Sequence, residues 1–183
     1  MTPPLALVLL LLLLAFGPMS FEARLAAHHD RALRAAGAYE PPDDVIGWMQ
    51  VVYPAAFVSM AAEAYLRSTG RDLLVMAGAC VFVLAKAIKY WAIATLGARW
   101  TFRVLVPPRS TLVTSGPYRY VRHPNYIGVM GELAGFALMA HAAYTGPASM
   151  LMFAWLIARR IRVEERALHI DHRSDRGRSH RVS

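Results

Sequence analysis

Long apolar stretches separated by shorter polar segments are the main feature of this chain. Five such stretches cover residues 4–21, 45–66, 73–96, 126–143 and 147–161. An α-helix rises about 1.5 Å per residue, so about 20 apolar residues cross a hydrocarbon layer about 30 Å thick. The pattern therefore predicts an all-α integral membrane protein with about five transmembrane helices. The short turn at residues 144–146 predicts that the last two helices form a hairpin.

Composition supports a membrane protein over a nucleic-acid-binding protein. Of 183 residues, 56% are hydrophobic and 17% are charged, and the net charge is +8. A basic chain can indicate a DNA-binding protein, but such proteins spread their basic residues over a solvated face. Here the arginines cluster between apolar stretches. The predicted partners are therefore membrane lipids and anionic or lipophilic small molecules, not nucleic acid.

The distribution of arginine predicts the orientation in the membrane. Arginines are concentrated after the first stretch, after the third stretch and in the C-terminal tail, whereas only Arg67 and Arg71 lie on the opposite side. Positive residues mark cytoplasmic segments. With five crossings, the N-terminus lies outside and the C-terminus in the cytoplasm of a bacterial inner membrane. A cleaved signal peptide is the alternative for the first stretch, but no basic residue precedes it.

One polar segment, residues 110–126 (STLVTSGPYRYVRHPNY), lies immediately before the fourth stretch. Residues 114–117 are turn-forming, and Pro124 favours a helix start because the first helical turn has no partner for its N–H groups. The free N–H groups and helix dipole would attract an anionic group. A topology without any active site also produces arginine-rich loops and interfacial tyrosines. Both interpretations are open from the pattern alone.

The same segment resembles the signature of the isoprenylcysteine carboxyl methyltransferase family, in which a TLVTSGxY motif is followed by RHPxY. Residues 160–168 (RIRVEERAL) resemble a second motif of that family, in which an arginine precedes two glutamates and a leucine. The resemblance covers roughly residues 75–168. Residues 21–40 (FEARLAAHHDRALRAAGAYE) are similar to a bacterial branch found beside type III polyketide synthases, whose members methylate alkylpyrones or alkylresorcinols.

This resemblance implies methyl transfer from S-adenosylmethionine to a lipophilic acceptor in a helical membrane protein. Arg160 matches a position assigned to the acceptor. Arg103 replaces a glutamine of the eukaryotic enzyme. The implied cofactor contacts are Arg103, Ser110, Thr111, Leu112, Val113, Tyr118, His123, Pro124, Asn125, Tyr126 and Glu164.

Two charged residues have alternative interpretations. If the acceptor is a hydroxyl, it needs a general base, and Glu132 in the fourth stretch is the candidate. Glu132 could equally be paired with Lys86 or Lys89. Arg160 and Glu164 are four residues apart and could simply form an intrahelical ion pair. The glycines at 128, 131 and 135 predict close helix packing.

The chain departs from the family pattern after Leu168, where the segment that usually closes the site is missing. Residues 1–168 are predicted to form one methyltransferase domain, and the polar residues 169–183 are predicted to be disordered. No metal site is expected.

The acceptor is most simply the carboxylate of a prenylcysteine-like compound or the hydroxyl of a polyketide-derived lipid. Phospholipid N-methylation, a reductase using NADPH and a non-catalytic protein are the alternatives, and the sequence does not indicate the oligomeric state.

Overall fold

The computed structural model describes residues 5–42, 44–67, 73–108 and 113–179, with side chains described as far as Arg166. The described residues form five α-helices, and the one β-type contact among them is an isolated bridge between Tyr39 and Val106. The prediction of an all-α fold is therefore confirmed. The helices are α1 (Leu5–Ala35), α2 (Ile46–Arg67), α3 (Leu73–Leu96), α4 (Pro124–Met139) and α5 (Thr145–Ser179).

The bounds of α2 and α3 agree with the apolar stretches to within one residue, but α1 and α5 are longer than their stretches. α1 continues to Ala35 and includes Arg24, Arg31 and Arg34, which were expected in a loop. Its extension is stabilised because Ala26 is buried against Ile93 and Trp100. The expected loop is therefore a helix that packs against the end of α3.

The last helix continues to Ser179, through most of the tail that was expected to be disordered. No proline occurs in the chain after Pro147, so no residue there removes a helical hydrogen bond in the way that proline does. Extending an existing helix also avoids the cost of a new nucleus. The backbone of residues 169–179 is thus helical in the structure, while residues 180–183 lie outside the described part.

Within the described ranges, two helical segments are long and apolar enough to cross a membrane, Leu5–Ala35 and Leu73–Arg99. α4 has 16 residues, a length of about 24 Å at about 1.5 Å per residue, which is shorter than a hydrocarbon core. Large apolar side chains on α1 and α3 are exposed, among them Leu13 at 68% and Val83 at 64%. Exposed apolar side chains are typical of a lipid-facing surface. Five crossings remain a prediction.

An aromatic core joins α2, α4 and α5. Phe57 and Phe136 are almost fully buried and meet edge to face, with ring centroids 4.9 Å apart. Tyr53 lies 5.0 Å from both Phe57 and Phe153. Edge-to-face packing is favourable because the positive edge of one ring meets the negative face of the other. This core fixes α4 and α5 beside each other, with the ends that carry the predicted site on the same side.

α3 and α4 pack closely against each other, and glycines lie at their contact. A Cβ atom added to Gly135 would lie 2.6 Å from the Phe82 nitrogen and 2.8 Å from the Gly78 oxygen. A Cβ atom on Gly128 would lie 2.8 Å from the Lys89 Cβ, and one on Gly131 would lie 2.7 Å from the Ala85 Cβ. The predicted close packing at these three glycines is confirmed.

We expect Gly135→Ala to destabilise the protein by about 1–3 kcal/mol, because the backbones of α3 and α4 must separate to admit the methyl group. Gly17→Ala is the matched control. Its Cβ would have nothing within 4 Å, so it should be neutral or slightly stabilising. The measurement is the thermal unfolding midpoint in detergent. Equal midpoints for the two variants would contradict the role of Gly135.

Candidate functional site

The segment before α4 folds as the turn residues predict. Residues Gly116–Arg119 form a short 3-10 turn, and α4 begins at Pro124. Gly116 has a φ of +55°, and a Cβ atom there would lie 2.5 Å from the Thr95 Oγ1 atom. Only glycine combines that backbone conformation with such close contact to α3. The turn therefore fixes where Tyr118 and the start of α4 lie.

His123 is the N-cap residue of α4, but its side chain makes no capping hydrogen bond. Its ring instead stacks on Tyr126, with centroids 5.5 Å apart and an interplanar angle of 25°. The capping role that a histidine at this position often has is therefore not used. The first-turn N–H groups of α4 are left without a side-chain cap.

The two sequence motifs meet at this point. The Tyr126 hydroxyl donates a hydrogen bond of 3.2 Å to the Glu164 carboxylate. His123 Nδ1 lies 3.7 Å from the same Glu164 oxygen. The Arg160 Nε donates to the Tyr126 hydroxyl at 2.8 Å. We call His123, Tyr126, Arg160 and Glu164 the α4–α5 cluster.

Arg160 pairs with Asp44 and not with Glu164, which was the partner in the alternative interpretation of an intrahelical ion pair. Its guanidinium donates to Asp44, with 2.9 Å from Nη1 to Oδ1, and also to the Phe102 carbonyl. The side chains of Arg160 and Asp44 are only 6% and 4% exposed. Asp44 replaces Glu164 as the ion-pair partner, because the long arginine side chain reaches away from its own helix. Asp44 was missed in the sequence, where it is recognisable only as an acid just before α2.

Asp44 itself is held by backbone donors on two segments. Its carboxylate accepts hydrogen bonds from the Ile46 N–H at 3.2 Å and the Val104 N–H at 3.1 Å. Together with the Arg160 bonds, these contacts connect α5 to the start of α2 and to the segment after α3 that contains Phe102 and Val104. A buried carboxylate needs this number of donors to offset its lost hydration.

Two buried polar atoms beside the cluster have no hydrogen-bond partner among the described residues. They are His123 Nε2 and the side-chain oxygen of Asn125. Buried polar groups are normally paired, so unpaired ones at one place are suited to a polar ligand.

Tyr118 is half-buried, and its pKa is raised by that burial and by the negative charge of Glu164. Tyr118 therefore remains a neutral phenol near the cluster.

The Arg103 side chain pairs with acids outside this cluster, although its neighbours Phe102 and Val104 bond to Arg160 and Asp44. Its guanidinium contacts Glu40 at 2.7 Å and Asp30 at 3.5 Å, and its side chain is 41% exposed. Burial raises the pKa of Glu40, but hydrogen bonds from Arg103 and Arg34 outweigh this and lower it overall. Arg103 thus connects the end of α1 to the segment after α3. Its role in cofactor binding remains a prediction.

Other predicted cofactor contacts lie at the edge of the described structure. Pro124 is buried in the first turn of α4, and Val113 is partly buried at the start of the described segment. Residues 110–112, which include the predicted contacts Ser110, Thr111 and Leu112, lie outside the described residues.

Glu132 lies in a second buried group, eight residues after Pro124 and therefore about 12 Å farther along α4. Lys86 approaches Glu22 at 2.9 Å and Glu132 at 2.8 Å. Lys89 approaches the same carboxylates at 2.6 and 3.1 Å. We call Glu22, Lys86, Lys89 and Glu132 the buried ion cluster. The Tyr53 hydroxyl also donates to Glu132 at 2.6 Å.

The buried ion cluster has two positive and two negative members, so its formal charge is zero. Each ammonium touches both carboxylates, which offsets the cost of removing four charges from water. The predicted pairing of Glu132 with Lys86 or Lys89 is confirmed, and both lysines take part. Glu22 was missed, although an acid at the end of the first apolar stretch was a usable signal. The role of Glu132 as a general base remains a prediction.

We expect Glu132→Gln to destabilise the protein by about 3–5 kcal/mol, because two buried ammonium groups would then share one carboxylate. Removing a lysine as well, in Glu132→Gln with Lys86→Met, should recover part of this loss. The measurement is the unfolding midpoint in detergent, with Glu165→Gln as the control for loss of a more exposed acid. A stable Glu132→Gln protein that has lost activity would instead support the general-base role.

Comparison with known proteins agrees with the motifs. The model of the isoprenylcysteine carboxyl methyltransferase family matches residues 76–170. The uncharacterized protein YpbQ of Bacillus subtilis (strain 168) is 30% identical over 147 residues, which is 80% of this chain and 88% of the relative. An uncharacterized protein of Haemophilus influenzae is 26% identical over 149 residues, 81% of this chain and 87% of the relative. No solved structure matches significantly. The chain therefore belongs to the isoprenylcysteine carboxyl methyltransferase family, a family of membrane methyltransferases.

Proposed function

We propose that this protein transfers the methyl group of S-adenosylmethionine to a lipophilic acceptor, at a site built on the α4–α5 cluster. The main support is the contact of Tyr126 and His123 with Glu164. These residues come from two motifs about 40 positions apart, yet their side chains converge at 3.2 and 3.7 Å. In the alternative interpretation, the segment is only an arginine-rich loop at the membrane surface. Such a loop would not require Tyr126 and His123 to contact Glu164.

The residues present suit the polar groups of the cofactor. Glu164 offers a carboxylate for an ammonium group, and the uncapped start of α4 offers N–H groups for a carboxylate. The unpaired atoms of His123 and Asn125 offer hydrogen bonds to a ribose or an adenine. The rings of Tyr118 and Tyr126 suit a sulfonium cation, which is attracted by an aromatic face.

The bound cofactor would supply an activated methyl group, which leaves its sulfur as a nucleophilic atom of the acceptor forms the new bond. The protein has to align the two reactants and exclude water, and alignment can lower such a barrier by several kcal/mol. Arg160 supports this alignment because its bonds to Asp44, Phe102 and Tyr126 fix the position of the tyrosine ring.

The acceptor is proposed to be an oxygen nucleophile, either a prenylcysteine-like carboxylate or a lipid hydroxyl. A carboxylate is ionised at neutral pH and requires no base, whereas a phenol would benefit from one. Arg160 is the proposed contact for an acceptor carboxylate. The Arg160 guanidinium is already bound to Asp44. Such an acceptor must therefore either share the guanidinium with the Asp44 carboxylate or displace that carboxylate.

The proposed placement is an inner membrane, with five crossings, the N-terminus outside and the cluster facing the cytoplasm. The arginine distribution along the sequence supports this orientation. A water-soluble cofactor could then enter from the cytoplasm, and an acceptor could enter from the bilayer.

Calorimetric binding of S-adenosylmethionine to the detergent-purified protein tests the cofactor site. We expect Glu164→Gln to raise the dissociation constant for S-adenosylmethionine roughly tenfold or more, because a hydrogen bond to a charged group contributes about 1.5–3 kcal/mol. His123→Ala should also weaken binding. Glu165→Gln is the matched control, since this neighbouring carboxylate lies 3.8 Å from Arg122 and 4.0 Å from His123 Nε2 and makes no hydrogen bond to the described residues of the cluster. Unchanged affinity in both cluster variants would contradict the proposed site.

Radiolabelled methyl transfer to a prenylcysteine, an alkylresorcinol and an amino-phospholipid then identifies the acceptor class. We expect label in one of the first two. Label in the phospholipid would indicate N-methylation. Binding of NADPH but not of S-adenosylmethionine would indicate a reductase, and binding of neither would indicate a non-catalytic protein.

A further inference from the structure

An open groove lies between the start of α2 and the outer face of α5. Its volume of about 640 Å³ is in the range of small-molecule clefts, roughly 300–1,000 Å³. We call it the arginine groove. The lining residues that matter here are Trp48, Trp155, Arg159, Arg162, Val163 and Arg166.

The groove is separate from the α4–α5 cluster. At about 100° per residue, the three groove arginines point roughly 100–160° away from Arg160 and Glu164 around α5. Asp44 borders both places, but its carboxylate is bound to Arg160. The groove therefore has its own charge, which the cluster does not neutralise.

Among the described residues, the three arginines have no acidic partner. No ion pair to Arg159, Arg162 or Arg166 is formed within the part of the chain that the structure describes. In their hydrogen bonds to described residues, Arg162 and Arg166 use their Nε atoms, which donate to backbone carbonyls at 3.2 and 3.1 Å. Their terminal nitrogens are therefore available for an anion, and guanidinium groups suit phosphate geometry.

The apolar wall of the groove consists of two exposed tryptophans. Trp48 is 70% exposed and Trp155 is 53% exposed. The Arg159 guanidinium lies 5.2 Å from the centroid of the Trp155 ring, so charge and aromatic surface are adjacent. Tryptophan is enriched where membranes meet water, at the level of the lipid headgroups. α5 changes from apolar to arginine-rich at the same level.

We propose that the arginine groove binds one anionic phospholipid. The three arginines bind the headgroup phosphate, and an acyl chain lies along Trp48 and Trp155. Free phosphate would use the arginines but leave the tryptophans exposed. The proposal depends on a membrane placement but not on methyl transfer, so it stands if the cofactor assignment fails.

Native mass spectrometry of the full-length protein tests this proposal, in mixed micelles with equal amounts of phosphatidylglycerol and phosphatidylcholine. Wild-type protein should retain one phosphatidylglycerol in preference to phosphatidylcholine. Combined replacement of Arg159, Arg162 and Arg166 by glutamine should reduce that preference about tenfold or more, because each basic residue near an anionic surface adds to the attraction. Trp48→Ala should weaken retention of the lipid while leaving the arginines in place.

The matched control replaces Arg24, Arg31 and Arg119 by glutamine, which removes the same charge from exposed positions elsewhere. It should retain the lipid preference. An equal loss in this control, or an unchanged preference in the groove variant, would overturn the proposal. So would displacement of the lipid by inorganic phosphate at matched concentration. If the triple variant has a lowered unfolding midpoint, the single variant Arg162→Gln provides the same comparison in a folded protein.

Discussion

The Arg160 guanidinium makes the interaction on which the arrangement of the candidate site depends. It is a buried cation that bonds to a carboxylate, a phenol and a carbonyl from three different segments. A buried positive charge is tolerated only where acceptors surround it, so these segments must assemble together. The position of α5 relative to α4 thereby determines where Glu164 meets Tyr126. A lysine could not make the same set of bonds, because it has one nitrogen instead of a planar fork of three.

The buried ion cluster stabilises the other end of the same arrangement. Glu22 comes from α1, both lysines from α3 and Glu132 from α4, so the four charges join three helices. The glycines of α3 and α4 let the two backbones come close enough for these contacts. Charge pairing and small residues thus act together, as is common where helices pack in an apolar environment.

Periodicity predicted the all-α fold, and the resemblance of two motifs pointed to residues of the α4–α5 cluster. The start of α4 at Pro124 follows from the restrictions on proline. The two motifs implied that residues 123–126 and Glu164 hold the same cofactor, and their direct contact agrees with such a shared site. The partner of Arg160 was not predictable, because nothing in the spacing connects Asp44 with a residue 116 positions later. The length of α1 was also missed. Its arginines were interpreted as a loop, whereas alanine and leucine between them allow the helix to continue to Ala35.

The short length of α4 has a consequence for the environment of the proposed chemistry. If α4 crosses a hydrocarbon layer about 30 Å thick, as the five-crossing prediction requires, its length of about 24 Å leaves one of its ends below the surface. With Met139 near one boundary, Pro124 would be recessed by about 6 Å from the other. The N–H groups there would act in a medium of low dielectric constant, where their attraction for an anion is stronger than in water. The start of α4 would then lie at the bottom of a depression in the membrane surface. Water would reach this depression from the aqueous side, and lipid acyl chains would reach it from within the bilayer.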